Sequence, residues 1–359
     1  MAFRYNEIMD LLLEDIKQMK PHTKIQSRPA LCQKYLCTRT TIDRAISQLV
    51  GEGYLYSIAG SGTYVSDMTL DGAINPNKDV SNWGVILPNV MSDTYPGILR
   101  GIEDFAQAKD INILIGNSDN DEAKQYSYIV RLITSKVKGM VIIPAISDGI
   151  NSEMYSYLQN SKIPFVFCNR PVPGISVPLI ASNDFYGGYI ATKELIEKGY
   201  KKAAYISKVM YKTSTDRYQG YVAALNEGGL EANSSLVFMK GDGTPFEVGY
   251  SKLDSLIKSG RDLDSVFCFN DAIAEGAVKA IEDNKLRVSD DIGVIGYDNT
   301  NICEKMRPKL TSVSYKTYEI GHKAAEILHG MIEGELTDNT TLCIFQPSLI
   351  ERDSCSGKK

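Results

Sequence analysis

Four polar clusters follow short apolar runs in this chain: Asn169-Arg170 after PFVFC, Asn183-Asp184 after PLIAS, Asn270-Asp271 after SVFCF, and Asp298 after GVIGY. In parallel α/β architecture, strand ends are where a ligand is gripped. Carboxylates and amides accept hydroxyl hydrogens and an arginine donates, so Asp298, Asn270 and Arg217 form a set suited to a neutral polyol. Each Asx residue has a second reading as the cap of the following helix, and for Asp271, just before AIAEGAVKAIE, the cap is preferred. A second cluster lies near the N-terminus. Arg39, Thr40, Thr41, Arg44 and Gln48 face away from an apolar stripe formed by Ile42, Ala45, Ile46 and Leu49. Arginine pairs with guanine in two-pronged fashion, and threonine hydroxyls with helix-end amides hold phosphates, so this face suits DNA.

The elements needed to position these groups are legible from periodicity. Ile8, Leu11, Leu12 and Ile16 recur on one face between Tyr5 and Met19, which predicts a first helix. Ser27 ahead of Arg28-Pro29 predicts an N-cap and a short second helix, with Leu31, Tyr35 and Leu36 inward. Thr38 caps the third. Two helices so closely joined are a helix-turn-helix signal. YLYSI and the segment ending in TYV flank Gly60-Ser61-Gly62, a tip without bulk that would lie against a sugar-phosphate backbone. Residues 67–81, DMTLDGAINPNKDVS, lack periodicity and read as a linker. From Trp83 onward, strand runs such as WGVILP, GMVIIPA and IGVIGYDN alternate with amphipathic stretches. There is too much of this for one small sheet, so two Rossmann-like lobes with a cleft are expected.

Composition narrows the function. The 359 residues carry a net charge of −5, so a nucleic-acid role has to be confined to a local patch. Residues 1–66 hold eight Lys/Arg against six acids, a balance of +2. No apolar run reaches signal-peptide or membrane-span length, which predicts a cytoplasmic protein without membrane contact. The seven cysteines are scattered and mostly in strand-like runs, so buried thiols are expected. Only three histidines, with no CxxC or HExxH, argue against a metal site; no cofactor is expected. GxSxG, Walker and strand-following GxGxxG patterns are absent, so an enzyme is not expected. The rival readings are a transporter's sugar-binding protein, which leaves the first 66 residues idle, and a sugar-acting enzyme, for which Asp298 would be the base.

Residues 5–66 resemble the GntR-family winged helix. Thr38-Arg39-Thr40-Thr41 with Ala45, Leu49 and Gly53 follows its "SR.T...A...L...G" run, and Gly60–Val65 its "G.GT.V" wing. That resemblance implies double-stranded operator DNA as a partner, contacted by Arg28, Thr38, Arg39, Thr40, Thr41, Arg44, Gly60, Ser61 and Gly62. Two positions depart: the family's "PSE" is Gln26-Ser27-Arg28, and its second recognition-helix arginine is Asp43. Residues 83–353 resemble the LacI-family effector domain through VKGMVIIPA, PFVFCNR, SNDFYGG, STDRYQGY, FCFNDAIAEGA and DIGVIGYDN. By motif, Arg217, Asn270 and Asp298 are implied as the main ligand contacts, with Tyr95, Arg170, Thr213 and Ser182 lining the cleft. Arg170 stands where purine-binding members have tryptophan, which disfavours a stacked base and favours a sugar.

The implied organisation is a winged-helix domain at 1–66, a linker at 67–81 and a two-lobed, periplasmic-binding-protein-like domain at 82–355. The pairing resembles repressors of the L-arabinose type. It implies a homodimer with recognition helices about 34 Å apart, repression of sugar-utilisation genes, and release by a monosaccharide such as L-arabinose.

Overall fold

In the computed structural model, residues 5–66, 81–146, 151–336 and 341–357 are described here. The chain divides into two compact units between residues 79 and 80. Apart from Ser81, the expected linker lies outside the described residues.

The first unit holds α1 (Tyr5–Lys17), α2 (Arg28–Lys34), α3 (Arg39–Gly51), β1 (Leu55–Ile58) and β2 (Gly62–Val65). Ile8, Leu12 and Ile16 of α1 meet Leu31, Ile42, Ala45, Ile46 and Leu49 in one core, closed by Leu55 and Val65. Two residues expected inside are not there. Leu11 sits at the margin of its stripe, 38% exposed, and Leu36 is 74% exposed. Leu36 takes φ +48 where α2 ends, and this left-handed residue turns its side chain outward. Ser27 occupies the N-cap position of α2 without a side-chain cap bond, whereas the Thr38 hydroxyl accepts from the Thr41 N–H. The hairpin turns through Gly60 (φ +74) and Gly62 (φ +145), conformations that favour glycine. A third segment, not expected, joins the wing: the Ile25 N–H donates to Thr63 O at 3.0 Å and the Val65 N–H to Thr23 O at 2.9 Å.

The second unit has two lobes. β3 (Asn82–Leu87), α4 (Tyr95–Gln107), β4 (Asn112–Asn117), α5 (Glu122–Thr134), β5 (Gly139–Ile142), α6 (Ser152–Asn160), β6 (Phe165–Cys168) and β7 (Leu179–Ser182) build the first. The chain then crosses. α7 (Asp184–Glu197), β8 (Ala203–Ile206), α8 (Lys212–Glu227), β9 (Val237–Phe238), α9 (Pro245–Lys258) and β10 (Ser265–Cys268) open the second lobe. α10 (Asp271–Asp283), β11 (Gly293–Tyr297), α11 (Ile302–Lys305) and β12 (Thr311–Ser314) continue it. α12 (Thr317–Ile332) and β13 (Leu342–Phe345) return to the first lobe, and β14 (Ser348–Ile350) ends in the second. The sheets run β13-β7-β6-β5-β3-β4 and β14-β12-β11-β10-β8-β9. Every pairing within them is parallel except β12 with β14. β5, β6, β8 and β10 are buried along their whole length, as expected of strands covered on both faces.

Among the described residues three crossings therefore join the lobes, and two are tied together. The Asn183 N–H donates to Phe345 O at 2.9 Å, and its amide to Gln346 Oε1 at 3.2 Å. α7 and α8 approach so closely that a Cβ on Gly188 or Gly220 would strike the backbone of the facing helix.

Candidate effector cleft and recognition helix

The ends of β11, β10 and β6 and the starts of α4 and α8 enclose a chamber of about 120 Å³. Asp298 follows β11 with φ +100, a conformation strained for a residue with a side chain. Its N–H donates to Val313 O at 2.9 Å, and its carboxylate accepts from Thr94 Oγ1 of the other lobe at 3.4 Å. The loop beyond is held from behind. Asp271, only 1% exposed, accepts from the Thr300 N–H at 2.7 Å and from the Ser312 hydroxyl at 2.6 Å. The helix cap expected of Asp271 belongs instead to Asn270, whose Oδ1 accepts from the Ile273 N–H at 3.0 Å. This spends the carboxamide oxygen and leaves the amino group of Asn270 to serve the chamber.

Arg217 enters from α8 and is only 5% exposed. Its Nε donates to Asp184 Oδ1 at 2.8 Å and one Nη to Phe269 O at 2.6 Å. The guanidinium lies 3.4 Å from the Tyr297 ring centroid and 4.4 Å from that of Phe269. Asp298 is 3.9 Å away. Burial pushes the Asp298 carboxyl up to about 7, against the pull of Arg217; the nearby Asp271 and Asp184 carboxylates add to the rise. Burial also raises Asp184, which Arg217 opposes.

From the first lobe, Arg170 donates to Asn120 Oδ1 and Pro144 O, both at 3.0 Å, and to the Tyr95 hydroxyl. Its guanidinium lies 5.7 Å from the Tyr95 ring and 5.8 Å from the ring of Tyr211. Thr213 and Tyr211 close the wall. The structure thus gathers Tyr95, Arg170, Thr213, Arg217, Asn270 and Asp298 around one space. Ser182 is the exception. It ends β7 one residue before the crossing, is 5% exposed, and lies beside Tyr297 rather than on the chamber wall. Thr94, Tyr211 and Tyr315 line the chamber although the sequence offered no motif for them, and Phe269 lines it from within the FCFND run, where only Asn270 is expected to touch a ligand. Asp184 carried a signal: with Asn183 capping α7 through the Tyr186 N–H, the adjacent acid was left for another partner.

In the first unit, Arg39, Thr40 and Arg44 are exposed along one side of α3, and the Arg39 side chain is 80% exposed. Thr38 and Thr41 hydroxyls are bonded to each other at 2.8 Å. Arg28 is engaged otherwise: it donates to Thr63 Oγ1 of the wing at 2.8 Å and lies 3.4 Å from Asp43. Gly60 and Ser61 are exposed at the wing tip, while the Lys24 side chain lies against Gly62. Tyr56 and Tyr64 stack across the hairpin with centroids 5.6 Å apart.

Among the described residues no helix is long and apolar enough to cross a membrane. Residues 4–65 match the model for bacterial regulatory proteins of the gntR family, and residues 192–355 match the periplasmic binding protein-like domain. The arabinose metabolism transcriptional repressor of Geobacillus stearothermophilus is 28% identical over 94% of this chain and 93% of its own length. The HTH-type transcriptional regulator RegA of Clostridium saccharobutylicum is 30% identical over 76% of this chain and 80% of its own. The transcription regulator CcpA of Lactococcus lactis superposes with TM-score 0.70 at 28% identity, covering 77% of this chain and 99% of that one. A CelR–cellobiose complex has the same fold, with TM-score 0.70 at 24% identity over 92% of each chain. The chain belongs to the bacterial transcriptional regulators that join a gntR-family winged helix-turn-helix to a LacI-type, periplasmic-binding-protein-like α/β domain.

Proposed function

We propose that this regulator represses sugar-utilisation genes by binding operator DNA as a homodimer, and that a monosaccharide of the L-arabinose kind releases it. The observation that carries the sugar reading is the chamber wall. It opposes an acceptor carboxylate (Asp298) and an amide donor (Asn270) to two guanidinium groups (Arg170, Arg217) and flanks them with rings. Ring hydroxyls both donate and accept, and such a mixed wall satisfies both roles. The chamber of about 120 Å³ has room for a small polar ligand and opens onto a further space of about 350 Å³ that shares Tyr95, Arg170 and Asn270.

DNA binding rests on α3. Its exposed Arg39, Thr40 and Arg44 and the phosphate-suited Thr38 and Thr41 make a major-groove surface, with the Gly60–Gly62 tip beside the backbone. Release follows from a difference in affinity: a sugar that binds one arrangement of the lobes better than another shifts the population toward it. Thermal melting of the full chain with pentoses, hexoses and their phosphates tests the effector, since a ligand of the folded form raises the midpoint. Gel shifts on duplexes from upstream of sugar-utilisation genes, with and without the stabilising sugar, test release. A chain that no monosaccharide stabilises, or a complex that saturating sugar leaves intact, contradicts the reading.

A further inference from the structure

The first turns of α3 present a carboxylate where a polyanion docks. Asp43 has a 48% exposed side chain, 3.4 Å from Arg28 and 3.6 Å from Arg39. An acid on a phosphate-facing surface costs affinity through repulsion unless it is neutralised or used. Here it is held on two sides. Arg28 is itself anchored, because it donates at 2.8 Å to Thr63, which is 3% exposed in the wing. At these exposures the Arg28–Asp43 pair adds little to folding, so stability does not account for it.

The two departures noted in the sequence meet in this contact. Where the resembled pattern has an acid, this chain has Arg28; where it has an arginine on the recognition helix, this chain has Asp43. The two reversals meet in one ion pair of this chain, with its acid on α3. We propose that Asp43 reads a base, accepting a hydrogen bond from a cytosine N4 amino group in the major groove, with Arg28 and Arg39 as its positioning residues. This rests on the reading of α3 as the recognition helix. Carboxylates accept from cytosine N4, while arginine donates to guanine O6 and N7. Arg39, one turn before Asp43, therefore asks for a guanine close to that cytosine in each half-site.

The test is selection of the full-length chain against a pool of randomised duplexes. The proteins are the wild type, Asp43→Asn, Asp43→Ala and the double exchange Arg28→Glu/Asp43→Arg, each first checked for unchanged melting. The wild type should enrich cytosine at one position of the half-site. Asp43→Asn should move that preference to adenine, whose N6 and N7 suit a carboxamide. Asp43→Ala should erase about a tenfold preference there and leave the other positions alone, and the double exchange should move it to guanine. The same base at that position in the wild type, Asp43→Asn and Asp43→Ala overturns the proposal. So does an Asp43→Ala effect spread uniformly over all positions, which would make Asp43 a general electrostatic group. A wild type that enriches no sequence overturns the DNA-binding reading as well, and is told apart from the other outcomes by that flat profile.

Discussion

On the proposed reading of the cleft, sugar binding should depend on pH through Asp298. Burial disfavours its charge and pushes its carboxyl up to about 7, with Arg217 3.9 Å away only partly compensating. Sugar hydroxyls donate most strongly to the ionised form, so binding at lower pH must first expel a proton. The apparent affinity then falls by a factor of 1 + 10^(7−pH), about elevenfold at pH 6 and about 1.1-fold at pH 8, or close to 1.4 kcal/mol between them. Folding stability moves the other way. The folded pKa lies above the unfolded value of 3.8, so this contribution is whole below about pH 4 and is lost as the pH rises through 7. Calorimetric titration of L-arabinose from pH 5.5 to 8 reads the first effect. Asp298→Asn should abolish the slope and weaken binding at pH 8 by about 1.5–3 kcal/mol, the worth of a charge-assisted bond. A wild-type affinity that is flat over this range, or a slope that survives Asp298→Asn, refutes the reasoning.

Three further outcomes follow from named contacts. Arg39→Ala removes an 80% exposed guanidinium from α3 and should weaken operator binding by about 1–3 kcal/mol in fluorescence anisotropy, with sugar affinity unchanged. Asp184→Ala strands the buried Arg217 charge and should lower stability by about 3–5 kcal/mol in denaturant melts, because the 2.8 Å pair is almost fully desolvated. Gly220→Ala puts a methyl group into the backbone of α7 and should cost about 1–3 kcal/mol; melting equal to wild type would show that the helices can part at no cost.

The sequence carried the architecture because the architecture is periodic. Ile42, Ala45, Ile46 and Leu49 announce a helix face, and runs such as FVFC and VFCF announce strands covered on both sides, since local spacing reports which surfaces meet an apolar neighbour. The parts that escaped depend on partners distant in the chain. The wing's third segment pairs residues 23–25 with β2 through backbone bonds that leave no side-chain signature. Asp184 reaches Arg217 across 33 positions, and Asp271 reaches Ser312 across 41, so neither role is written near the residue that performs it. Ser182 lies beside Tyr297 and off the chamber wall, because a motif gives position along a strand and not the direction of its last side chain. Leu36 was misplaced because an apolar residue at the left-handed end of a helix leaves the stripe its spacing implies.

Coupling between the two units is the central claim, and reciprocal linkage tests it most directly: the affinity of the full-length chain for its operator duplex, measured with and without saturating L-arabinose, beside the affinity for L-arabinose with and without saturating duplex. The account predicts that sugar weakens DNA binding by roughly 5- to 150-fold and that DNA weakens sugar binding by the same factor. An operator affinity that does not change while the calorimeter records bound sugar would contradict it.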